Sequence, residues 1–177
     1  MKFIRKFTAL ALILTFIMNV NVMADNEVNY KNKGVVVKGN FAKDESKKQY
    51  SRVINSYTEL NTLKKYIKKN YKNPNKYLKY LNNYDKSFFR KNSLVFLSHT
   101  LDKNTHSYKL SGVRVNGNYI MVDINKMSTL KEGYSATDVL EYYSYTYMIQ
   151  VKKSDIKDAS KVRRKFKFIY RKGYCSY

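Results

Sequence analysis

The pattern of apolar and polar positions differs between three segments of the chain. An apolar run at residues 7–18 follows a short basic segment. Residues 25–48 are mostly polar, with one short apolar run at 34–37. From about Tyr50 onward, apolar residues recur with helical or strand spacing between turn signals. The pattern therefore divides the chain into residues 1–24, 25–48 and 49–177.

The first 24 residues have the parts of an export signal. Basic residues stand at positions 2, 5 and 6, the apolar run has 12 residues, and Val22 and Ala24 occupy the −3 and −1 positions before Asp25. As a helix, such a run spans about 18 Å, well short of a hydrocarbon core of about 30 Å. We expect cleavage after Ala24, giving a secreted or envelope-associated protein that does not span the membrane.

The middle and helical segments follow from polarity and spacing. Residues 25–48 are expected to form a basic, mobile arm, although the valines at 35–37 can add a strand to a sheet. Apolar side chains recur at three- and four-residue steps behind hydroxyl caps, which predicts a helix over 58–70. Pro74 interrupts this pattern, and a second helical stretch over 74–82 places Tyr77, Leu78 and Leu81 on one side.

Strand signals dominate the rest of the chain. Residues 94–97 are apolar on both faces, which is typical of a strand inside a sheet. Asn116 and Gly117 predict a tight turn between two strands, and residues 142–151 alternate, with tyrosines on one face. A last strand is expected over 164–170. The predicted fold is a single α+β domain, with a small, mostly antiparallel sheet and one or two packed helices. The hairpin face predicted to be buried contains Val113, Val115, Ile120, Val122 and Ile124.

The net charge of the chain indicates what kind of partner it could bind. Lys and Arg number 35 against 13 acidic residues, a formal net charge of +22. This charge favours an anionic wall polymer or another polyanion, without a specific nucleic acid, although A/T-rich codons for lysine offer a compositional explanation. Candidate polyanion contacts lie outside the apolar stripe of the first helix: Lys64, Lys65, Lys68 and Lys69. A second basic cluster occupies residues 161–167.

Some tyrosines are candidates for an aromatic recognition surface. Tyr143, Tyr145 and Tyr147 share the apolar face of their predicted strand, so we expect them in the core. Tyr119, Tyr134 and Tyr142 fall at wetter positions and are the candidates for aromatic contacts with a ligand.

Candidate catalytic chemistry is sparse. His99 follows Ser98, but a hydrolytic site also needs an oriented third group and an oxyanion site. His99 and His106 lack cysteine or carboxylate neighbours at metal-ligand spacing, and Cys175 is the single cysteine, so it cannot form an internal disulfide. We therefore expect no catalytic residues, no metal and no cofactor.

The order of several short motifs resembles exported proteins of the protease-complex subunit PrcB C-terminal type. The motifs fall at residues 53–60, 84–89, 92–97, 108–117 and 145–151. The resemblance covers about residues 50–155. It implies a small α+β domain without catalytic residues and with a binding role, which in the named member of that family is associated with stabilising a secreted protease. Where that family commonly has Gly-Gly or Ser-Gly before a tyrosine, this chain has Thr105, His106 and Ser107.

Together these patterns favour a secreted, non-enzymatic protein-interaction module whose partner is another exported or envelope protein. A cationic protein that binds the cell wall or another polyanion is the alternative. A hydrolase is the third hypothesis.

Overall fold

A computed structural model describes residues 26–102, 106–128, 141–157 and 159–169. The expected signal peptide, Tyr134 and Cys175 lie outside the described residues. The described strands are β1 (Asn26–Glu27), β2 (Tyr30–Lys38), β3 (Gln49–Ile54), β4 (Asn92–Asp102), β5 (His106–Asn116), β6 (Tyr119–Ser128), β7 (Tyr142–Lys152) and β8 (Lys161–Ile169). The described helices are α1 (Tyr57–Asn70), α2 (Asn75–Leu81), α3 (Phe88–Lys91) and α4 (Lys153–Ile156).

The strands form two four-stranded sheets. The central sheet has the order β2-β7-β4-β3, and the outer sheet has the order β1-β5-β6-β8. All pairings are antiparallel except that of β6 with β8. The α+β class and the mostly antiparallel pairing are confirmed. The expectation of one small sheet with one or two helices was too simple, because the strands divide between two sheets and the helical segments are more numerous.

The central sheet separates two apolar cores. On β4, Leu94 and Phe96 face the core beneath the helices, whereas Val95 and Leu97 face the outer sheet. All four side chains are fully buried, since successive strand residues point to opposite faces. The prediction of an internal strand at residues 94–97 is confirmed by the position of β4 between β7 and β3.

Helix α1 begins with a side-chain cap and buries one face. The Ser56 hydroxyl accepts a hydrogen bond from the Glu59 amide at 3.2 Å, and the Glu59 carboxylate accepts one from the Asn55 amide at 2.6 Å. Leu60, Leu63 and Ile67 are fully buried against the central sheet. Both predicted helices are present with slightly different ends, and the expected side of α2 is buried: Tyr77, Leu78 and Leu81.

Residues 26–48 differ from the expected mobile arm. Strand β1 pairs with β5, and β2 pairs with β7 along all nine of its residues. Val35, Val37 and Phe41 are buried in the core beneath the helices. The alternative that the valines add a strand is therefore the one observed. Most polar residues around them lie on exposed positions of this strand and of the loop that follows, whereas Asn40 is buried.

The β5–β6 hairpin forms one residue further along than predicted. Asn116 pairs with Tyr119, so the turn consists of Gly117 and Asn118 rather than Asn116 and Gly117. Gly117 has φ +55°, and Asn118 is not at positive φ, the arrangement of a type II′ turn with glycine first. The predicted face is confirmed, with Val113, Ile120, Val122 and Ile124 buried and Val115 packed against them.

Strands β7 and β8 extend the predicted pattern. Tyr145, Tyr147, Ile149 and Val151 are buried towards the outer sheet. The opposite face of β7, which the alternation left more polar, is also buried, because the helices cover it. This face contributes Ser144, Thr146 and Met148. Strand β8 begins three residues earlier than expected, and Tyr170 lies outside the described residues.

Replacing Gly117 tests the hairpin. Gly117→Val places a β-branched residue at positive φ and is expected to lower the free energy of unfolding by about 1 kcal/mol or more. Gly34→Val is the matched control, because Gly34 is not at positive φ and a Cβ there meets nothing within 4 Å. Chemical denaturation measures both. Equal unfolding midpoints for the two variants would contradict the turn assignment.

Candidate binding surfaces

The helix lysines lie on the side of the molecule away from the outer sheet. Lys65, Lys68 and Lys69 are exposed on α1, and Lys64 is partly covered, with its Nζ 5.9 Å from the centre of the Tyr57 ring. Burial and the nearby Lys68 lower the pKa of Lys64. The four predicted contacts thus form a compact cluster on one helix. Carboxylates lie close to this region, since Glu45 pairs with Lys72 at 2.7 Å.

The structure places the two described candidate tyrosines, Tyr119 and Tyr142, in different sheets. Tyr119 lies in β6, where the Arg163 guanidinium carbon is 3.7 Å from the ring centre and the Lys161 Nζ is 5.6 Å away. Tyr142 lies at the start of β7 in the other sheet, is 46% exposed, and has the Lys48 Nζ 5.5 Å from its ring centre. Tyr134 lies outside the described residues. The two described rings therefore belong to separate surfaces.

A regular row of cations runs along the outer face of β8. Val162 and Phe166 pack against the core between the sheets. Alternation therefore places Lys161, Arg163, Lys165 and Lys167 on the opposite, solvent-exposed face. This basic cluster is visible in the sequence, but its residues were not among the candidate polyanion contacts. The alternation of cations in this cluster was visible in the sequence, whereas the order of strands in the outer sheet was not.

A cleft of about 700 Å³ adjoins this row on the outer sheet. A bulge at Ser111 in β5 interrupts the register between Leu110 and Gly112. Beside it, the Arg114 guanidinium donates two hydrogen bonds to the Asp123 carboxylate, at 2.7 and 2.8 Å. Lys165 and Lys167 line the same cleft. The arrangement can hold an anion at the cationic side of the cleft, since the carboxylate of Asp123 is already paired.

Ser98 and His99 point to opposite faces of β4. Ser98 is fully buried beneath the helices, where its Oγ accepts a hydrogen bond from the Tyr71 hydroxyl at 3.1 Å and lies 2.8 Å from Thr146 Oγ1. His99 faces the outer sheet and contacts the Arg164 guanidinium and the Phe166 ring. The serine hydroxyl and imidazole cannot form a nucleophile and base pair in this arrangement.

The Ser98 hydroxyl belongs to a buried network that the sequence patterns did not reveal. Nearby, Thr100 donates to the Asn40 side chain at 2.8 Å, and Ser144 donates to the Gly39 carbonyl at 2.7 Å. These bonds satisfy polar strand positions that the helices cover. The bonds to Asn40 and Gly39 also connect the loop after β2 to the central sheet.

The described part of the chain contains no cluster of three or more histidine, cysteine or acidic side chains suited to a metal ion. None of its helices has the length and apolar character needed to cross a membrane. Comparisons with protein-family models, curated proteins and solved structures found no match to this chain.

The buried tyrosines should make the stability of the fold depend on pH in the alkaline range. Burial raises the pKa of Tyr77 from 10.0 to about 12 and also raises the pKa of Tyr71. Above about pH 10 the folded state keeps these protons, whereas the unfolded chain loses them. Their contribution to the free energy of unfolding is therefore fully present below pH 10 and is lost as the pH rises towards 12. Tyr77→Phe should flatten that loss by up to about 1.4 kcal/mol per pH unit.

Urea denaturation at several pH values between 8 and 11.5 measures this slope. The exposed Tyr142→Phe substitution is the control and should leave the slope unchanged. A Tyr77→Phe variant with the wild-type slope would show that Tyr77 does not ionise on unfolding.

Proposed function

We propose that this chain is an exported, non-enzymatic binding module that takes an extended segment of a partner protein on the free edge of β2. The observation that supports the proposal most directly is the position of this nine-residue strand at the end of the central sheet. Exposed edge strands can pair with a further chain through backbone hydrogen bonds.

The hydrogen-bond pattern identifies the backbone groups that point outward. The Gly39 amide donates to the Tyr142 carbonyl at 2.7 Å, in register with the β2–β7 ladder. In an antiparallel pair, hydrogen-bonded and non-hydrogen-bonded positions alternate. Val37 and Val35 therefore bond to β7, whereas the N–H and C=O groups of Val36 and Gly34 point away from it.

The side chains along this edge indicate the kind of segment that fits. Val36 is 56% exposed, although its neighbours Val35 and Val37 are buried. A Cβ on Gly34 meets nothing within 4 Å, so the face of the sheet is open beside this edge. Lys31 and Lys33 are exposed further along β2. We infer an extended partner segment with an apolar side chain against Val36 and acidic side chains near the lysines.

The resemblance to PrcB-type proteins supports the same class of function. It implies a domain that binds and stabilises another exported protein, such as a protease. The opposite orientations of Ser98 and His99 favour this class over a hydrolase that uses these two residues. The alternative hypothesis, binding of a polyanion, concerns surface lysines and not the β2 edge.

A proline at Val36 tests strand addition. Val36→Pro removes an outward N–H without breaking a bond to β7, so the domain should keep its melting temperature. Binding of the partner protein should fall at least tenfold. Val36→Thr keeps the N–H and is the control, with less than threefold loss expected.

Affinity capture from envelope fractions at moderate salt, quantified by mass spectrometry, provides the measurement. A protein recovered with wild type and Val36→Thr but lost with Val36→Pro supports the proposal. Equal recovery by a folded Val36→Pro variant would contradict it.

A further inference from the structure

We propose that the exposed cations of β8 form a second binding surface, separate from the β2 edge, for a linear phosphate polymer. The relevant side chains are Lys161, Arg163, Lys165 and Lys167. This surface lies on the outer sheet, whereas the helix lysines lie beyond the opposite face of the central sheet. The inference does not depend on the proposed protein partner.

The spacing of the cations suits an extended polymer. Strand residues advance by about 3.3 Å, so alternate side chains on one face recur about every 6.6 Å. The row from Lys161 to Lys167 is therefore about 20 Å long by the same rise. A linear polymer with one charge per repeat can follow such a straight row, and each phosphate that meets a cation releases a counterion.

The charge around β8 leaves these cations available. The nine residues of β8 include five cations and no carboxylate. Asp123 lies opposite Lys165 in the register, but both of its carboxylate oxygens accept hydrogen bonds from Arg114. Glu27 lies on β1, at the other edge of the outer sheet, and also lines the cleft that Lys165 and Lys167 line. Among the described residues, none of the four cations is paired with a carboxylate.

The aromatic contacts of this face favour phosphate over bases. Proteins that bind single-stranded nucleic acid stack bases on open aromatic rings. The ring of Tyr119 is covered by the Arg163 guanidinium at 3.7 Å. The adjoining cleft is lined by Lys165, Lys167 and Asn125, which can donate hydrogen bonds to phosphate oxygens. Tyr30 and Phe166 also line it, but both rings pack against the core between the sheets. A polymer that offers charge without bases therefore fits better than nucleic acid.

The experiment uses an inorganic polyphosphate chain of defined length as the probe. Its affinity for the mature protein is measured by calorimetry or fluorescence between 50 and 300 mM salt, with about 0.7 units of log–log slope expected per phosphate contact. The variant K161Q/R163Q/K165Q/K167Q should bind at least tenfold more weakly at low salt and lose between two and three units of slope. The control K64Q/K65Q/K68Q/K69Q removes the same charge and should lose less than threefold.

Equal losses in the two variants would overturn the proposal, because net charge alone would then explain binding. Should the quadruple β8 variant not fold, K165Q/K167Q against K65Q/K69Q repeats the comparison with half the change. Single-stranded DNA of equal charge and vesicles of anionic lipid are tested in parallel. Tighter binding of either one than of polyphosphate would overturn the assignment to a phosphate polymer.

Discussion

The pairing of β4 with β7 is the constraint on which the rest of the structure depends. The two strands align along eleven residues in the middle of the central sheet and are buried on both faces. Helices cover one face and the outer sheet covers the other, because each apolar face must be removed from water. With β4 and β7 inside, β2 becomes an edge of the central sheet. The β2 edge proposed for partner binding thus follows from the core.

Local patterns in the sequence predicted the elements whose environment is set by near neighbours. The stripe of α1, the break at Pro74 and the double-faced apolar run of β4 all appear as expected. The position of β2 did not follow, because Val35 and Val37 are buried only by pairing with a strand more than 100 residues away. The parallel pairing of β8 is likewise a long-range choice that periodicity does not encode.

The candidate surfaces were predictable to different degrees for the same reason. Net charge and the basic cluster at 161–167 were visible in the sequence, and alternation gives one cationic face. The pairing of Asp123 with Arg114 and the covering of Tyr119 by Arg163 depend on three adjacent strands, so they required the structure. The burial of Ser98 and Thr146 likewise required the structure, because it depends on the helices and on Tyr71, which hydrogen-bonds Ser98.

Residue-resolved amide hydrogen exchange tests the central claim most directly, namely that β4 and β7 form the protected interior and leave β2 as a free edge. The account predicts the slowest exchange in β4 and β7. Along β2, slow exchange at Val35 and Val37 should alternate with fast exchange at Gly34 and Val36, because only the first two bond to β7. Uniformly fast exchange over residues 30–38 would show that this segment is a mobile arm and would contradict the account. Uniformly slow exchange would show that the β2 edge is covered and would contradict it as well.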